Sequence, residues 1–298
     1  MTFPKVVEHV KVPPIKCQGI KTKLVNFIFQ NIKWDEQGKW IEPFLGSGVV
    51  LFNANPQRAL VSDTNKHIIK MYQDIQSGVL TPQSVRDFLE VEGKKLEESN
   101  GEYYYEVRDR FNENGSSFDF IFLNRSCFNG MMRFNKTGGF NVPFCRKPER
   151  FRTALITKIV NQIIWVSKVM KGKDWTFVCQ DWRETLKEAN EIDFVYMDPP
   201  YIGRHTNYYN QWDEKEAKDL AEAAGQLPCG YALSMWYENQ YRKNDHLDVW
   251  NGVIRTTSHF YHVGASERNR NAMEEALIIK EGYESDVLPQ VSEQLQLI

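Results

Sequence analysis

The sequence contains little that is typical of a secreted, membrane-embedded or metal-binding protein. Its five cysteines are odd in number and scattered, with no Cys-x-x-Cys pair, which argues against a disulfide framework and a zinc site. No apolar run approaches the length of a membrane span, and the segment from Met1 to Val12 lacks the apolar region of a signal peptide. We therefore expect a cytoplasmic protein in a reducing setting. Because no His, Cys and Asp residues cluster at ligand spacing, we also predict no metal site.

The net charge is small, but the charges are unevenly distributed. The chain of 298 residues carries a formal charge of -2, and its hydrophobic share of 42% is ordinary for a globular protein. Between residues 125 and 153, seven basic residues stand against one acid, Glu149. The basic residues are Arg125, Arg133, Lys136, Arg146, Lys147, Arg150 and Arg152. This stretch suits a protein that grips a polyanion on one face, although a solvated positive surface explains it equally well when taken alone.

Short apolar runs that end in polar or glycine-rich turns indicate buried parallel strands. These runs are Trp40 to Pro43, Ala59 to Ser62, Trp175 to Cys179, Ile192 to Met197 and Gly230 to Met235. The helical patterns between them are Lys66 to Ile75, Ala154 to Met170 and Asp213 to Ala224. The alternation predicts an α/β fold with a doubly wound, mostly parallel sheet, in which ligands bind beyond the carboxyl ends of the strands.

One stretch, residues 77–152, breaks the alternation. It contains a charged, helical part from Pro82 to Asn112 and then a glycine- and asparagine-rich part that carries the basic residues. We interpret it as an inserted, mainly helical subdomain, so that residues 1–76 and 153–298 form the core. The chain from Gly252 to Ile279 resembles paired strands around a polar loop, Gly264 to Asn271.

The tetrapeptide Asp198-Pro199-Pro200-Tyr201 is the strongest signal for chemistry. Two prolines directly after a strand stop the sheet and fix the backbone, so the turn offers a carboxylate, a rigid carbonyl and an aromatic face. Asp198 and the carbonyl of Pro199 can accept hydrogen bonds from the two N–H groups of an exocyclic amine. Tyr201 can stack on the base that bears this amine. We predict that this loop is catalytic.

Two further turns follow strands and suit a nucleoside ligand. Glu42 to Gly48 is a glycine turn that lets a ligand approach the backbone, but it lacks the spacing of a dinucleotide motif and could be purely structural. Asp63 closes the second strand, where a carboxylate can accept both hydroxyls of a ribose. An aspartate at this position can equally be a helix N-cap.

Together these residues resemble the Dam-like, alpha group of adenine-N6 DNA methyltransferases, in the right order over most of the chain. The resemblance implies a Rossmann-like methyltransferase core and S-adenosyl-L-methionine as cofactor. Lys16 to Lys21 is similar to the family's N-terminal motif, with Cys17 and Ile20 in place of its tryptophan and second glycine. The resemblance implies that Lys21 binds the methionine carboxylate of the cofactor and that Asp63 binds its ribose. It places Asp181 and Trp182 at the adenine of the cofactor. The residues implied around the methionine part are Phe44, Gly46, Ser47 and Gly48.

The insertion carries a second match, from Asn124 to Gly130, Arg133 to Asn135 and Phe140 to Phe144, which is similar to the start of the family's DNA-contacting region. Arginine and asparagine suit base edges, and lysine and arginine suit phosphates. The implied DNA-binding residues are Arg125, Asn129, Arg133, Asn135, Lys136, Asn141, Arg146 and Lys147. After the catalytic loop, Asn207 to Tyr209 and Trp212 stand where the family closes over the base, although they could equally be packing residues.

The resemblance implies a site-specific methyltransferase that flips adenine out of double-stranded DNA. Such enzymes often partner a restriction endonuclease, while a role in repair or replication marking is equally open. Rival acceptors are cytosine N4, RNA and a protein glutamine, but Asp198 favours adenine, since those enzymes usually carry Ser or Asn at this position. A non-catalytic DNA-binding protein is the rival from another class, and the intact Asp198, Tyr201, Gly46 and Asp63 argue against it.

Overall fold

A single mostly parallel sheet organises the protein. The computed structural model describes residues 2–201, 212–239, 242–244, 247, 249–260 and 272–286. In chain order the strands are β1 Trp40–Glu42, β2 Arg58–Asp63, β3 Asp174–Cys179, β4 Phe194–Met197, β5 Gly230–Asn239, β6 Arg242–Lys243, β7 Val253–Phe260 and β8 Ala272–Ile279. Their order across the sheet is β3-β2-β1-β4-β5-β8-β7, with β6 paired to β5. Strands β1 to β5 are parallel, and β8 and β7 extend the sheet antiparallel.

Helices cover both faces of the sheet. They are α1 Val25–Asn31, α2 Val49–Ala54, α3 Lys66–Ser77, α4 Pro82–Glu98, α5 Tyr103–Asn114, α6 Ser117–Ser126, α7 Thr153–Met170, α8 Trp182–Lys187 and α9 Glu214–Gly225. The predicted doubly wound, mostly parallel α/β fold is confirmed. No helix in the described part of the chain is both long and apolar enough to cross a bilayer.

The central strands are buried on both faces, which explains their continuous apolar runs. All four residues of β4 are buried. Alternate residues enter two different apolar clusters, Phe194 on one face and Val195 on the other. The ring of Trp40 in β1 stacks on that of Phe194, with centroids 5.5 Å apart. The two strands are therefore locked side by side at the centre of the sheet.

The strand order places a crevice at the carboxyl ends of β1 and β4. From β1 the chain adds β2 and β3 on one side, and it then returns to place β4 on the other side of β1. The loops that leave β1 and β4 consequently diverge toward opposite sides of the sheet. Such a switch point is where ligands bind in open α/β sheets.

The predicted insertion between α3 and α7 is mainly helical, as expected. Helix α4 packs on α7, and α6 packs on α3. The apolar side chains of the insertion therefore join those of the core in one cluster. The charged stretch from Pro82 to Asn112, expected as one helical part, is two helices. The chain turns at Gly101, where φ is +100° and a Cβ atom would lie 2.4 Å from the ring of Phe144. The boundaries 77–152 stay a prediction.

The predicted C-terminal strand pair is also confirmed, because β7 and β8 pair antiparallel from Val253 opposite Ile279 to Phe260 opposite Ala272. The polar loop expected at Gly264 to Asn271 lies outside the described residues.

Gly93 tests the packing of the insertion on the core. It lies inside α4, where a Cβ atom would come within 2.5 Å of the Cβ of Phe151. Alanine is the better helix former by about 1 kcal/mol, yet overpacking costs about 1–3 kcal/mol. We expect Gly93→Ala to lower the free energy of unfolding by about 1 kcal/mol, measured by urea denaturation.

Gly225→Ala is the matched control, since Gly225 ends α9 and a Cβ atom there would meet nothing within 4 Å. It should leave stability unchanged or raise it slightly. A Gly93→Ala protein as stable as the Gly225→Ala protein would contradict the packing described.

Candidate active site

The loop Asp198 to Tyr201 leaves β4 at the crevice, and an ion pair fixes its first residue. Lys21, which is only 3% exposed, places its Nζ 2.8 Å from Oδ1 of Asp198. The same ammonium donates to the carbonyl oxygen of Gly19 at 3.0 Å. It also lies 4.9 Å from the ring centroid of Tyr201. Lys21, which we expected at the cofactor carboxylate, thus touches two residues of the predicted catalytic loop.

Burial and the charge of Lys21 act in opposite directions on the pKa of Asp198. Burial raises the pKa of its carboxyl group, the ammonium of Lys21 lowers it, and the negative charge of Glu275 raises it further. An ionised carboxylate is a stronger hydrogen-bond acceptor than a neutral carboxyl group, so the cation favours the form of Asp198 that binds an amine best. The position of Lys21 therefore has a direct chemical consequence for the loop.

Other acids and a thiol surround this pair. Glu42, at the end of β1, is buried and accepts the indole N–H of Trp40 at 2.7 Å. Burial raises the pKa of Glu42 to about 8. Burial and the charges of Asp63 and Asp198 raise the pKa of the Cys17 thiol to about 12. Cys17 thus remains a neutral thiol at neutral pH, in the position where the family usually has tryptophan.

Tyr201 is held from a distant part of the chain. Its hydroxyl donates to Oε2 of Glu275 in β8 at 2.9 Å. Neither Glu275 nor Glu42 was singled out in the sequence, although an acid next to the apolar run Ala276 to Ile279 was a readable signal. A buried carboxylate that bonds a predicted catalytic residue belongs to the site.

The glycine turn after β1 and Asp63 after β2 form one unit. The backbone N–H of Gly46 donates to Oδ2 of Asp63 at 2.9 Å, and that of Asn65 donates to Oδ1 at 2.8 Å. Gly46 and Gly48 have φ of +50° and +72°, which favour glycine. The carbonyl oxygen of Ser47 accepts the hydroxyl of Tyr72 at 2.5 Å, so the turn is fixed from behind.

This unit fits a nucleoside with a ribose. An ionised carboxylate offers about four acceptor positions, and two backbone N–H groups use only part of the capacity of Asp63. Phe44 belongs to the same glycine turn. The centroid of its ring lies 5.5 Å from that of Trp212, and the two ring planes make an angle of 87°. An apolar wall and an acceptor carboxylate are the groups that an S-adenosylmethionine nucleoside needs.

Asp181 and Trp182 lie at the start of α8. Oδ1 of Asp181 accepts the backbone N–H of Arg183 at 2.9 Å and so caps the helix. Trp182 is only 3% exposed, lies under the guanidinium of Arg183 at 4.2 Å, and donates to Glu216 at 3.2 Å. These contacts anchor α8 to α9. Cofactor contacts from both residues stay a prediction.

The predicted DNA-binding residues fall into a buried and an exposed group. Arg125 is 4% exposed and donates to the carbonyl oxygen of Pro14 at 2.9 Å, while its own carbonyl oxygen accepts Nε of Arg150. Arg125 therefore attaches the N-terminal segment to α6. It is not on the surface in this structure, which separates it from the other seven residues.

The remaining residues lie on the segment from 127 to 147, which the bridges Cys127 to Phe144 and Phe134 to Phe140 fold back on itself. Arg133 donates to the side chain and the backbone of Asn141 at 2.8 and 2.9 Å. Oδ1 of Asn135 accepts the N–H of Gly139 at 2.8 Å and shapes the turn. The exposed members are Asn129, Asn135, Lys136, Arg146 and Lys147. The structure thus brings them together in one folded-back segment of the insertion.

Phe128 was missed in the sequence. Its ring is 51% exposed at the start of this segment, beside Asn129 with φ of +54°. It lies among the exposed polar and basic residues of the segment 127–147. An exposed fraction is not visible in the sequence, so pattern reasoning could not select this phenylalanine.

The aromatic segment expected to close over the base is described only in part. Asn207 to Tyr209 lie outside the described residues, whereas Trp212 packs beside Phe44. Among the residues that the structure describes, no group of three or more His, Cys, Asp or Glu side chains is arranged to hold a metal ion.

Comparison with known proteins identifies the family. Residues 18–266 match the family model of the D12 class N6 adenine-specific DNA methyltransferases. The chain belongs to this family. The predicted resemblance is confirmed, and with it the enzyme class: transfer of a methyl group from S-adenosylmethionine to N6 of adenine in DNA. Adenine, rather than cytosine, RNA or glutamine, is the acceptor class of the family.

Individual relatives agree with the family model. The chain is 34% identical to the type II methyltransferase M.MjaIII of Methanocaldococcus jannaschii over 211 residues, which cover 63% of this chain and 68% of the relative. It is 30% identical to the DNA adenine methylase of Vibrio cholerae over 224 residues, covering 70% and 75%. The rRNA methyltransferase aviRa from Streptomyces viridochromogenes has a TM-score of 0.38 at 12% identity, over 92% of this chain and 90% of that chain. A likeness that weak carries no weight for the fold.

The Lys21–Asp198 pair generates a pH prediction. Because Lys21 lowers a carboxyl pKa that burial has raised, Lys21→Gln should raise the pKa of Asp198 further. Methyl transfer that needs ionised Asp198 should then fail at a higher pH as the solution is acidified. We expect the acidic limb of the kcat profile to move up by about one pH unit, measured at saturating cofactor.

Lys23→Gln is the control, since Lys23 is an exposed lysine of the same loop. Its acidic limb should coincide with that of the unmodified enzyme. An unmoved or lowered limb in the Lys21→Gln enzyme would show that the ion pair does not control Asp198.

Proposed function

We propose that the protein is a site-specific methyltransferase that flips its target adenine out of double-stranded DNA and holds it at Asp198 to Tyr201. The observation that carries this proposal is the ion-paired Asp198 at the switch point, with Tyr201 braced beside it. An amine buried inside a stacked duplex cannot reach this enclosed carboxylate, so the base must leave the stack. Family membership supplies the acceptor, and the geometry supports the choice of residues.

The cofactor would be held on the β1 and β2 side of the crevice. Phe44, Gly46, Ser47, Gly48 and Asp63 would hold the methionine part and the ribose. Asp181 and Trp182 would lie at its adenine, and Lys21 at its carboxylate. When bound, S-adenosylmethionine supplies a methyl group activated by a positive sulfur.

The catalytic loop prepares the acceptor. The carboxylate of Asp198 and the carbonyl oxygen of Pro199 accept the two N–H bonds of the adenine amine, which directs its lone pair out of ring conjugation. Pro200 keeps the backbone rigid, and Tyr201 stacks on the base. The amine becomes cationic on methylation, and its proton leaves to water. Positioning and electrostatics thus account for the catalysis without a histidine base.

The folded-back segment 127–147 would contact the duplex. Arg133, Asn129, Asn135 and Asn141 have the hydrogen-bonding groups that read base edges, while the exposed Lys136, Arg146 and Lys147 suit phosphates. Phe128 would add an apolar contact to the bases. We assign the buried Arg125 a supporting role, because it attaches the N-terminal segment that carries Lys21.

A cognate restriction endonuclease is the partner we propose. The support is the 34% identity to a protein named as a type II methyltransferase. The relatives named DNA adenine methylase leave a solitary role in marking DNA as the second candidate. A neighbouring gene whose product cleaves unmethylated but not methylated host DNA would decide for the first.

Asp198→Ala tests the catalytic assignment. Loss of the acceptor for the adenine amine should lower the rate of methyl transfer by about 10²-fold or more. Cofactor binding, measured by calorimetry, should persist. The DNA methylated by the unmodified enzyme, digested to nucleosides, should contain N6-methyl-2′-deoxyadenosine.

Asp87→Ala is the control, because Asp87 is an exposed aspartate of α4 far from the crevice. Near wild-type labelling of DNA by the Asp198→Ala enzyme would refute the assignment.

Lys136→Gln and Lys147→Gln test the DNA contacts. Each phosphate contact that is lost should reduce the slope of log Kd against log salt by about 1, since fewer counterions are released. Binding should weaken equally for cognate and unrelated duplexes, as followed by fluorescence anisotropy at several salt concentrations.

Lys171→Gln is the matched control, an exposed lysine after α7 at the opposite end of the sheet. If its salt slope falls as much as those of the two variants, the segment 127–147 is not the DNA contact.

A further inference from the structure

Glu275 is a buried acid in the middle of the sheet. It is 1% exposed in β8, between β5 and β7, and is followed by the buried run Ala276 to Ile279. Removing a carboxylate from water is unfavourable unless strong hydrogen bonds or charges compensate it. An apolar residue would suit this position in the strand better, so the acid calls for an explanation outside packing.

The hydrogen bond to Tyr201 supplies one. Oε2 of Glu275 accepts the phenolic hydroxyl at 2.9 Å across 74 residues of sequence. The neighbouring strand is irregular at the same place, because β5 pairs Trp236 with Glu275 and then Glu238 with Glu274, which leaves one extra residue. Bulges of this kind re-aim side chains beside active sites.

The ring of Tyr201 is therefore fixed at two points. Glu275 holds its hydroxyl, and the ammonium of Lys21 lies 4.9 Å from its centroid while pairing with Asp198. A tyrosine that is held only by its backbone could rotate about its side-chain bonds. With both contacts, the ring plane of Tyr201, on which a base would stack, has a fixed orientation relative to the Asp198 carboxylate.

We propose that Glu275 is a positioning residue for methyl transfer, which orients the ring of Tyr201 by accepting its hydroxyl. The proposal rests on the proposed roles of Tyr201 and Asp198. Glu275 should act on turnover, because orientation of the base matters in the transfer step and the cofactor lies on the β1 and β2 side of the crevice.

The charge of Glu275 indicates function rather than stability. It opposes the ionisation of Asp198, which a neutral acceptor such as glutamine would not do. A carboxylate, however, forms the stronger, charge-assisted hydrogen bond. The site thus keeps an electrostatically unfavourable acid in exchange for a firmly held tyrosine.

A double-mutant cycle tests the proposal in the full-length enzyme. Tyr201→Phe removes only the hydroxyl and keeps the stacking ring. We expect Tyr201→Phe and Glu275→Ala each to lower kcat by about tenfold, since each deletes the same charge-assisted hydrogen bond. The combined variant should also lose about tenfold, and KM for S-adenosylmethionine should stay within about twofold of the unmodified value. Glu275→Gln, which keeps an acceptor, should retain most of the activity.

The pH profile adds a readout that a structural role would not move. The groups facing Asp198 are Lys21 and Cys17 before α1, Glu42 of β1, Tyr196 of β4 and Glu275 of β8. Glu275→Gln removes a negative charge from this set, so the acidic limb of kcat should move to lower pH, opposite to the effect of Lys21→Gln.

Glu274→Ala is the matched control, because it is the adjacent acid of the same strand and should leave kcat unchanged. Losses that multiply to about a hundredfold in the combined variant, or a Glu275→Ala enzyme with full kcat, would overturn the proposal. If Glu275→Ala does not fold, judged by its urea midpoint, the cycle is run with Glu275→Leu, which fills the buried strand position but offers no acceptor, and the same criterion of non-additivity applies. Asp198→Ala in the same assay separates the two ideas: its inactivity beside a fully active Glu275→Ala enzyme would refute only this inference.

Discussion

The ion pair between Lys21 and Asp198 is the interaction on which the rest of the site depends. Desolvation at the crevice would by itself favour a protonated, neutral Asp198, which is a weaker acceptor for the N–H of an amine. A buried ammonium 2.8 Å away lowers the pKa of Asp198 and so favours the charged form. The N-terminal segment that carries Lys21 is in turn attached to the insertion through Arg125 and Pro14. The catalytic carboxylate therefore depends on a part of the chain far from its own strand.

The sheet provides a rigid base for these charges. Trp40, Phe194 and Tyr196 stack on one face of β1 and β4, so the two strand ends cannot move independently. Above them, Glu42 and Asp198 leave the same two strands. Because the stacked layer excludes water from below, charges at the strand ends interact strongly with each other and weakly with solvent. The close packing of the core thus increases the electrostatic effects in the crevice.

Patterns that are local in sequence were predictable. The strands ending at Glu42, Asp63 and Met197 follow from short apolar runs, and the Asp-Pro-Pro-Tyr loop follows from residue types within four positions. Contacts between distant residues were not predictable, since no local pattern encodes them. The hydrogen bond between Tyr201 and Glu275 is one case. The burial of Arg125 is another, because a basic residue in a basic stretch reads as surface until its neighbours in space are known. The break at Gly101 likewise depends on the ring of Phe144.

The antiparallel strand β8 has a consequence for how the site comes into being. Lys21 precedes Tyr201 in the sequence and Glu275 follows it, and both contact Tyr201. A nascent chain emerging from the ribosome can form the crevice between β1 and β4 well before β8 has been synthesised. Until β8 joins the sheet, the tyrosine lacks the acceptor for its hydroxyl. The brace around Tyr201 therefore forms later than the crevice that it completes.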